Sequence, residues 1–447
     1  MLEDGTQLPS ESDLAAMMGV STQTLRAALA ELRHLGLVET RRGRGGGSFV
    51  KANTGDIAKA RRETLAGYSL EDLRDIREYR AVLAGSAAAA AAARTQQVAV
   101  GRLESLGAMV ATVHDPADMT RADSRFHMEL AAASRSVRLT RQEMALQAEV
   151  GPLIWTSSAD GGRQAAHDHA AIVDAVRRGD VVLARTRAEE HVRHDMNRLI
   201  DLRMSMDTAA PGAPPNVGDE DRIVASVKAL ARAIVERAVA SIRIVEDTVQ
   251  AGLDAAPDGE PGGLKAVDGA AQAVLSSHVS VLYGLGFLGE ASFFGEPVMA
   301  WSYIPPGSQM PRRLDMDLQF YDYASAPWWP ANEAEDKVHA SYAYVDANGS
   351  NAYIITFSKK VLRGSRMIGA AESDVLISQL QAQFAPLLDG LPRESCVVDQ
   401  NDVVIATNSG SLVGGIFDRS GPGGRSIALP EVPWRLEIAE PNAPEKR

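Results

Sequence analysis

Four residues in the middle of the chain have the types and spacing of a metal site. Asp123 and His127 stand four apart, so a helix through them presents a carboxylate and an imidazole on one face. His169 and His191 fall on two later helical stretches, nearly equally far from the turn signal at Gly179-Asp180. If those stretches pair as an antiparallel hairpin, the two imidazoles come level. Three imidazoles and a carboxylate suit a divalent transition metal such as zinc, nickel or manganese. Taken singly, each histidine is more often an ordinary surface or core residue, so only the set carries the reading. His167 and His194 lie off the same faces and read as solvated or as outer neighbours. A hydrolytic centre would use the same ligands with a bound water as nucleophile. It would also need a placed general base and a means of stabilising developing charge. Glu129 stands on a different helix face from His127, and no nucleophile elbow or glycine-rich phosphate loop occurs. A regulatory metal, and no enzyme, is expected.

A different chemistry is written between Leu8 and Val50, which read as helix, turn, helix and glycine-rich hairpin. Ser10 can cap a first helix, with Asp13 three residues on in a capping-box variant. Leu14, Ala15 and Met18 give that helix an apolar face, and Gly19 closes it. Ser21 caps a second helix, where Leu25, Ala28, Leu29 and Leu32 recur at helical spacing. Ser21, Thr22, Gln23, Thr24 and Arg26 then face outward near its start. Short hydrogen-bonding side chains and a guanidinium suit base edges and phosphates in a major groove. Gly36 ends the helix. Leu37 to Thr40 and Ser48 to Val50 flank Arg41, Arg42, Gly43, Arg44 and three glycines, a hairpin with a basic tip.

The elements that must hold these groups follow from length and pattern. A chain of 447 residues is too long for one ordinary core, and two to four domains are expected. The formal net charge of −12 confines any DNA contact to a local patch, which Arg26, Arg41, Arg42 and Arg44 supply. A single cysteine, Cys396, excludes an internal disulfide and fits a reducing compartment. No signal peptide and no uncharged run of about 20 residues occur, so a cytoplasmic protein without a membrane span is expected.

Asn53 to Gly67 is polar and reads as a connector. From Leu70 to Met204 the pattern is helical throughout, with turn signals at Asp115-Pro116, Gly161-Gly162 and Gly179-Asp180, giving an all-α bundle of about six helices. Ser205 to Asp219 is a proline-rich linker. Arg222 to Ala256 is one long helix with near-heptad apolar spacing, for packing on its own domain or on a second subunit. Beyond Pro257 to Gly263 the composition turns to β-branched and aromatic alternation. Strands are predicted at 282–288, 298–304, 340–345, 352–357, 366–371, 395–398, 403–407 and 434–438, with a helix from Ser373 to Leu388. That is an α+β domain with an antiparallel sheet. The segment Phe320 to Trp329 holds two of the chain's five tryptophans and two of its nine tyrosines.

These segments resemble known families. Leu8-Pro9-Ser10-Glu11, the following Leu14-Ala15 and Gly19-Val20-Ser21, the helix with Arg26 and the Gly43-Arg44 hairpin resemble the winged helix-turn-helix of GntR-family transcription regulators. That likeness implies DNA binding through Ser21, Thr22, Gln23, Thr24, Arg26, Arg42, Gly43 and Arg44. Family winged helices begin with a further helix before the Leu-Pro-Ser-Glu signature, and here only Met1 to Gln7 precede it, so that helix is expected to be missing. The bundle resembles the FCD effector domain. The likeness implies that Asp123, His127, His169 and His191 hold the metal, with positions left for a ligand carboxylate, and that Arg80 points into the pocket. The carboxyl-terminal part resembles Cache (PAS-like) sensor domains through the aromatic segment, Tyr344-Val345-Asp346, Tyr353 to Thr356 and Ile368 to Asp374. There the likeness implies a small-molecule cage made by Tyr321, Tyr323, Trp328, Trp329, Tyr344, Asp346 and Asp374. Aromatic rings with carboxylates suit an ammonium group; the plain alternative is that the rings fill a core and the aspartates sit at turns.

Together these readings predict a winged helix at 1–52, an FCD bundle at 68–204, a linker at 205–219 and a Cache-like domain at 220–442. The expected function is a metabolite-responsive transcription repressor. It would bind double-stranded DNA as a homodimer at a pseudo-palindromic site, with a small carboxylate at the metal and a second ligand in the carboxyl-terminal domain. Two other classes stay open: a metal-dependent hydrolase with a DNA-binding arm, and a signalling adaptor with a vestigial winged helix.

Overall fold

The computed structural model describes residues 5–18, 21–34, 38–41, 43, 46–50, 54–94, 97–156, 161–208, 220–255, 264–277, 282–305, 308–316, 318, 323, 326–329, 337–347, 349–419 and 424–440. Met1–Met206 and Asp207–Arg447 form two compact units.

In the first unit, α1 (Glu11–Met18) and α2 (Thr22–His34) precede the hairpin of β1 (Val38–Arg41) and β2 (Gly47–Val50). The Ser10 hydroxyl accepts from the amide of Asp13 at 3.2 Å and donates to its carboxylate at 2.6 Å, tying down the start of α1. Ala15, Leu25 and Leu29 meet in a small core with Leu8 and Leu14. The strands pair antiparallel with Val38 opposite Val50, and the chain from Gly5 to Leu8 runs along β2, with Leu8 N donating to Ser48 O at 2.8 Å. The expected connector is instead largely helical: α3 spans Thr54–Ala66. Its polar composition hides a short apolar face on which Ala60 and Leu65 are buried.

The bundle comprises α4 (Leu70–Arg94), α5 (Gln97–Met109), α6 (Pro116–Ala133), α7 (Val137–Glu149), the short α8 (Gly151–Ile154), α9 (Gly161–Arg177) and α10 (Val181–Thr208). Six of these are long, in accord with the periodicity, although α10 continues to Thr208, past the expected start of the linker. Alanines form much of the buried face of α4: Ala81, Ala84, Ala87, Ala88 and Ala91 are buried. Their small side chains let α4 lie close against α6, α7 and α9. Asp115 caps α6 by accepting from the amides of Ala117 and Asp118. Between α9 and α10 the chain reverses at Gly179, whose φ of 69° lies in the left-handed region that glycine adopts without strain. Asp180 then accepts from the Leu183 amide at 3.0 Å and starts α10.

The second unit begins with α11 (Glu220–Ala255) and α12 (Lys265–Ser277). The sheet that follows is built from β3 (Gly284–Gly289), β4 (Val298–Tyr303), β5 (Arg312–Arg313), β6 (His339–Ala340), β7 (Tyr344–Val345), β8 (Tyr353–Arg363) and β9 (Arg366–Leu376), with the one-turn α13 (Ala291–Phe294) between β3 and β4. Its order is β5-β4-β3-β9-β8-β6, with β7 also on β8, and the pairings are antiparallel. After α14 (Ile377–Leu388), a second antiparallel sheet has the order β11-β10-β13-β12, from Cys396–Val398 (β10), Val404–Thr407 (β11), Arg425–Ala428 (β12) and Arg435–Ile438 (β13).

The expected helix from Ser373 is corrected by this pairing. Ser373 and Asp374 are strand residues, placed opposite Leu285 and Gly284 on one side and Phe357 and Thr356 on the other, and helix begins only at Ile377. Two hydrogen-bonded neighbours override a weak local preference.

Alternation along the strands gives the larger sheet two different faces. Leu285, Phe287, Ile355, Phe357, Ala371 and Val375 join the core made with Val227, Ile234, Ile242 and Val249 of α11. Each valine, leucine, isoleucine or phenylalanine among them, once buried, contributes about 1.5–3 kcal/mol. On the opposite face Tyr283, Leu288, Trp301, Tyr323, Trp328, Trp329 and Ile354 form an aromatic cluster. Gly284 and Gly286 make that face possible, since a Cβ at Gly284 would stand 2.2 Å from the indole of Trp301. Among the described residues no helix is long and apolar enough to cross a membrane.

Candidate functional site

The hairpin of α9 and α10 brings His169 and His191 level, and α6 supplies Asp123 and His127 beside them. His169 Nε2 stands 3.1 Å from His191 Nε2, which is 3.3 Å from His127 Nε2. Asp123 Oδ1 lies 3.4 Å from His169 Nε2 and 3.7 Å from His127 Nε2. All four side chains are buried, and their ligand atoms lie within 4.8 Å of one another. Nitrogens bound to one ion at about 2.0–2.1 Å stand roughly 3–3.4 Å apart, so these two nitrogen separations suit a shared ion. Asp123 Oδ1 has no hydrogen-bond partner. Three imidazole edges and an orphaned carboxylate oxygen aimed at one point fit a divalent cation.

The outer nitrogens are held as well. His169 Nδ1 approaches the carbonyl of Gly107 at 3.3 Å, and His191 Nδ1 approaches Asp168 Oδ2 at 3.4 Å. Donating Nδ1–H outward leaves the Nε2 lone pair facing inward, the tautomer a metal requires. Phe126 stacks on His169 with ring centres 3.7 Å apart. Asp195, four residues after His191, places Oδ2 3.5 Å from His191 Nε2, and that oxygen also lacks a hydrogen-bond partner.

Electrostatics favour the ligand form of three of the four groups. Burial alone would raise the Asp123 carboxyl, but the imidazoles of His127, His169 and His191 outweigh it and hold Asp123 well below the usual carboxylate range. Burial drives His127 and His169 down despite Asp123, which favours the neutral imidazoles that can ligate a cation. His191 moves up, because the carboxylates of Asp195, Asp168 and Asp123 overcome its burial. Asp168, Asp195 and the Gly107 carbonyl were missed by the sequence reading. The i,i+4 spacing of His191 and Asp195 repeats that of Asp123 and His127, and was a usable signal. His167 and His194 are exposed, and Glu129 pairs with Arg102 at 2.7 Å.

Arg80 lies inside the same bundle, 1 % exposed. Its Nη1 reaches only the Met196 sulfur at 3.5 Å, while Nε and Nη2 have no partner. A buried guanidinium without a carboxylate is costly, and its field acts on His127.

On the winged helix, Ser21, Thr22, Gln23 and Arg26 are exposed around the start of α2, and Gly43 is exposed at the hairpin tip. Arg26 Nε donates to Glu11 at 2.6 Å. Arg42, Arg44 and the side chain of Thr24 lie outside the described residues.

In the second unit, Trp328, Tyr344, Asp346 and Asp374 line one cavity with Leu288, Trp301 and Glu372. Tyr323 and Trp329 belong to the aromatic cluster behind it, and Tyr321 lies outside the described residues. The Thr356 hydroxyl donates to Asp374 Oδ1 at 2.7 Å and is linked to Tyr344 Oη at 2.7 Å. Burial pushes the Asp374 carboxyl up to about 8 and takes Glu372 well above its ordinary value. Glu372 and Trp301 were missed; Glu372 stands two before Asp374 on β9 and so shares its face.

A winged helix joined to a helical bundle with inward-facing ligands is the plan of a DNA-binding transcription regulator. Residues 1–47 match the gntR family of bacterial regulatory proteins, and residues 75–194 match the FCD domain. The chain is 34% identical over 225 residues to the putative HTH-type transcriptional regulator RmpR of Mycobacterium gastri, covering 49% of this chain and 82% of that protein. It is 30% identical over 218 residues to the putative L-lactate dehydrogenase operon regulatory protein of Escherichia coli (strain K12), covering 43% and 77%. Among solved structures, Streptococcus agalactiae GntR aligns at a TM-score of 0.26 with 19% identity, covering 44% of this chain and 91% of that one. The sensory domain of the Campylobacter jejuni chemoreceptor Tlp3 aligns at 0.37 with 15% identity, covering 54% and 96%. The chain belongs to the GntR family of transcription regulators, with an FCD domain following its winged helix.

Proposed function

We infer that the protein is a metal-dependent, carboxylate-responsive repressor. Its modules would be a winged helix at 1–52, an effector bundle at 68–204, a linker at 205–219 and a sensor domain at 220–442. The observation that carries this reading is the pairing of the four-residue ligand set with Arg80, a buried guanidinium that has no carboxylate partner. Asp123, His127, His169 and His191 would hold zinc, nickel or manganese, and the ion would supply Lewis-acidic positions for an oxygen ligand. Arg80 would neutralise the incoming carboxylate through its free Nε and Nη2 donors. Ser21, Thr22, Gln23, Thr24, Arg26, Arg42, Gly43 and Arg44 would meet one half-site, and a second copy of the chain the other. The effector must favour one arrangement of the two winged helices, since a ligand with equal affinity for both shifts nothing. The cavity lined by Trp328, Tyr344, Asp346 and Asp374 would take a second small molecule, with Tyr321, Tyr323 and Trp329 around it.

The name of the E. coli relative makes a 2-hydroxycarboxylate the first effector class to try. Fluorescence anisotropy of the metal-loaded full chain on its own upstream DNA is the test. A small carboxylate should release the DNA, and Arg80→Met should remove that response while leaving DNA binding intact. If no carboxylate alters binding, or Arg80→Met responds as the parent does, the effector assignment fails.

A further inference from the structure

Asp195 stands to His191 as Asp123 stands to His127. Each pair lies four residues apart on one helix, α10 or α6, and all four side chains are buried. Asp195 is 2 % exposed. Its Oδ2 lies 3.5 Å from His191 Nε2, comparable with the 3.4 and 3.7 Å between Asp123 Oδ1 and the imidazoles of His169 and His127. Neither oxygen has a hydrogen-bond partner. A buried polar atom left unpaired needs a reason, and one ion supplies it for both.

Two plainer roles do not account for Asp195. A carboxylate that only orients a ligating imidazole takes the proton of its outer nitrogen. Beside His191 that place belongs to Asp168, 3.4 Å from Nδ1. Asp195 faces the inner nitrogen, the one grouped with His127 and His169. An anchor for Arg198 is the second role. Arg198 Nη2 donates to Oδ1 at 2.7 Å, with its guanidinium 5.7 Å from the ring centre of Trp155, and Oδ2 still has no partner. The carboxylate therefore turns one oxygen out to Arg198 and the other in towards the imidazoles. Asp195 falls outside the four residues whose ligand atoms gather within 4.8 Å, as it approaches from the His191 end. That edge suits a further donor, since donors on opposite sides of one ion stand about 4 Å apart at bond lengths of about 2.0–2.1 Å.

We propose that Asp195 is a fifth protein ligand to the ion and competes there with a chelating carboxylate. The proposal rests on the reading of Asp123, His127, His169 and His191 as a metal site, and adds a device that sets how tightly an effector binds. Two carboxylates neutralise a divalent ion, where one leaves a buried positive charge beside the equally buried Arg80. Five protein donors leave an octahedral ion one place, fewer than the two oxygens through which a 2-hydroxycarboxylate chelates. Arg198, bonded to Oδ1, keeps the Asp195 carboxylate paired when the effector takes its place.

Cobalt(II), followed by its visible d–d bands, tests this on the full chain with Asp195→Asn. Asparagine matches aspartate in shape and keeps an oxygen for Arg198, but is a far weaker ligand. Its bands should intensify, as they do when coordination number falls. Chelator competition should show cobalt held about tenfold or more weakly. Lactate titrated into the cobalt-loaded proteins should bind the variant about tenfold tighter than the parent. Asp168→Asn is the contrast: as an outer partner it should weaken cobalt and leave the band intensity as in the parent. Bands unchanged in Asp195→Asn, or lactate bound no tighter, overturn Asp195 as a competing ligand while the four-residue site stands. A parent chain that takes up no cobalt overturns the site and the inference together.

Discussion

Removing the metal is expected to lower the melting temperature of the amino-terminal unit by about 5–11 °C. Without an ion, Asp123 Oδ1 and Asp195 Oδ2 are buried oxygens with no hydrogen-bond partner, and each such orphan costs about 1–3 kcal/mol. Three imidazole nitrogens crowd the same point, two pairs of them at 3.1 and 3.3 Å. An ion present at a hundredfold excess over its dissociation constant restores about 2.7 kcal/mol. For a unit of roughly 200 residues, each kcal/mol moves the midpoint by about 2–4 °C. Calorimetry on chelator-treated protein, then on samples reloaded with zinc, nickel or manganese, reads this shift. His127→Ala and His169→Ala should abolish it. Asp168→Asn gives a graded test that leaves the four ligands in place. Replacing the carboxylate that faces His191 Nδ1 with a neutral amide should weaken metal affinity about 10–100-fold and shrink the shift without removing it. A midpoint that ignores the metals, or an equal shift in His127→Ala, would refute the reasoning.

Other consequences are open to simpler assays. Arg80→Met removes a buried, largely unpaired guanidinium at similar volume, so thermal melting of the ligand-free protein should stay level or rise. Arg26→Ala should weaken DNA binding and reduce the slope of log affinity against log salt by about one, read by anisotropy at several salt concentrations. The raised carboxyls of Asp374 and Glu372 fix the sign of a pH effect. Between about pH 4 and 8 folded Asp374 keeps a proton that the unfolded chain has released, so the stability these carboxyls contribute is full below about pH 4 and is lost as pH rises. Denaturant melts should therefore show the carboxyl-terminal unit more stable at pH 5 than at 8.5, with Asp374→Asn flattening the difference. Gly286→Ala places a Cβ 2.3 Å from the Ala300 carbonyl and 2.6 Å from Trp301. It should destabilise the sheet by about 1–3 kcal/mol, measured by the same melts.

What could be read without coordinates was local or periodic. The pair Asp123 and His127 followed from helical spacing, and the level placement of His169 and His191 followed from a reversal at Gly179 that a glycine signal marks. The long α11 and the two-faced strands were legible for the same reason: a residue's neighbours at fixed intervals determine which side it shows. The tertiary structure decided matters of coverage and pairing. Ser373 to Leu376 became strand because β3 and β8 flank them. A polar stretch became helix around the buried Ala60 and Leu65. Asp168 and the Gly107 carbonyl acquired roles only when α5, α9 and α10 met around the imidazoles. Arg80 lost water without gaining an acid, and Asp195 was left with one buried oxygen unpaired. Those last facts depend on which distant elements cover a side chain and what they fail to offer it, which spacing along the chain does not encode.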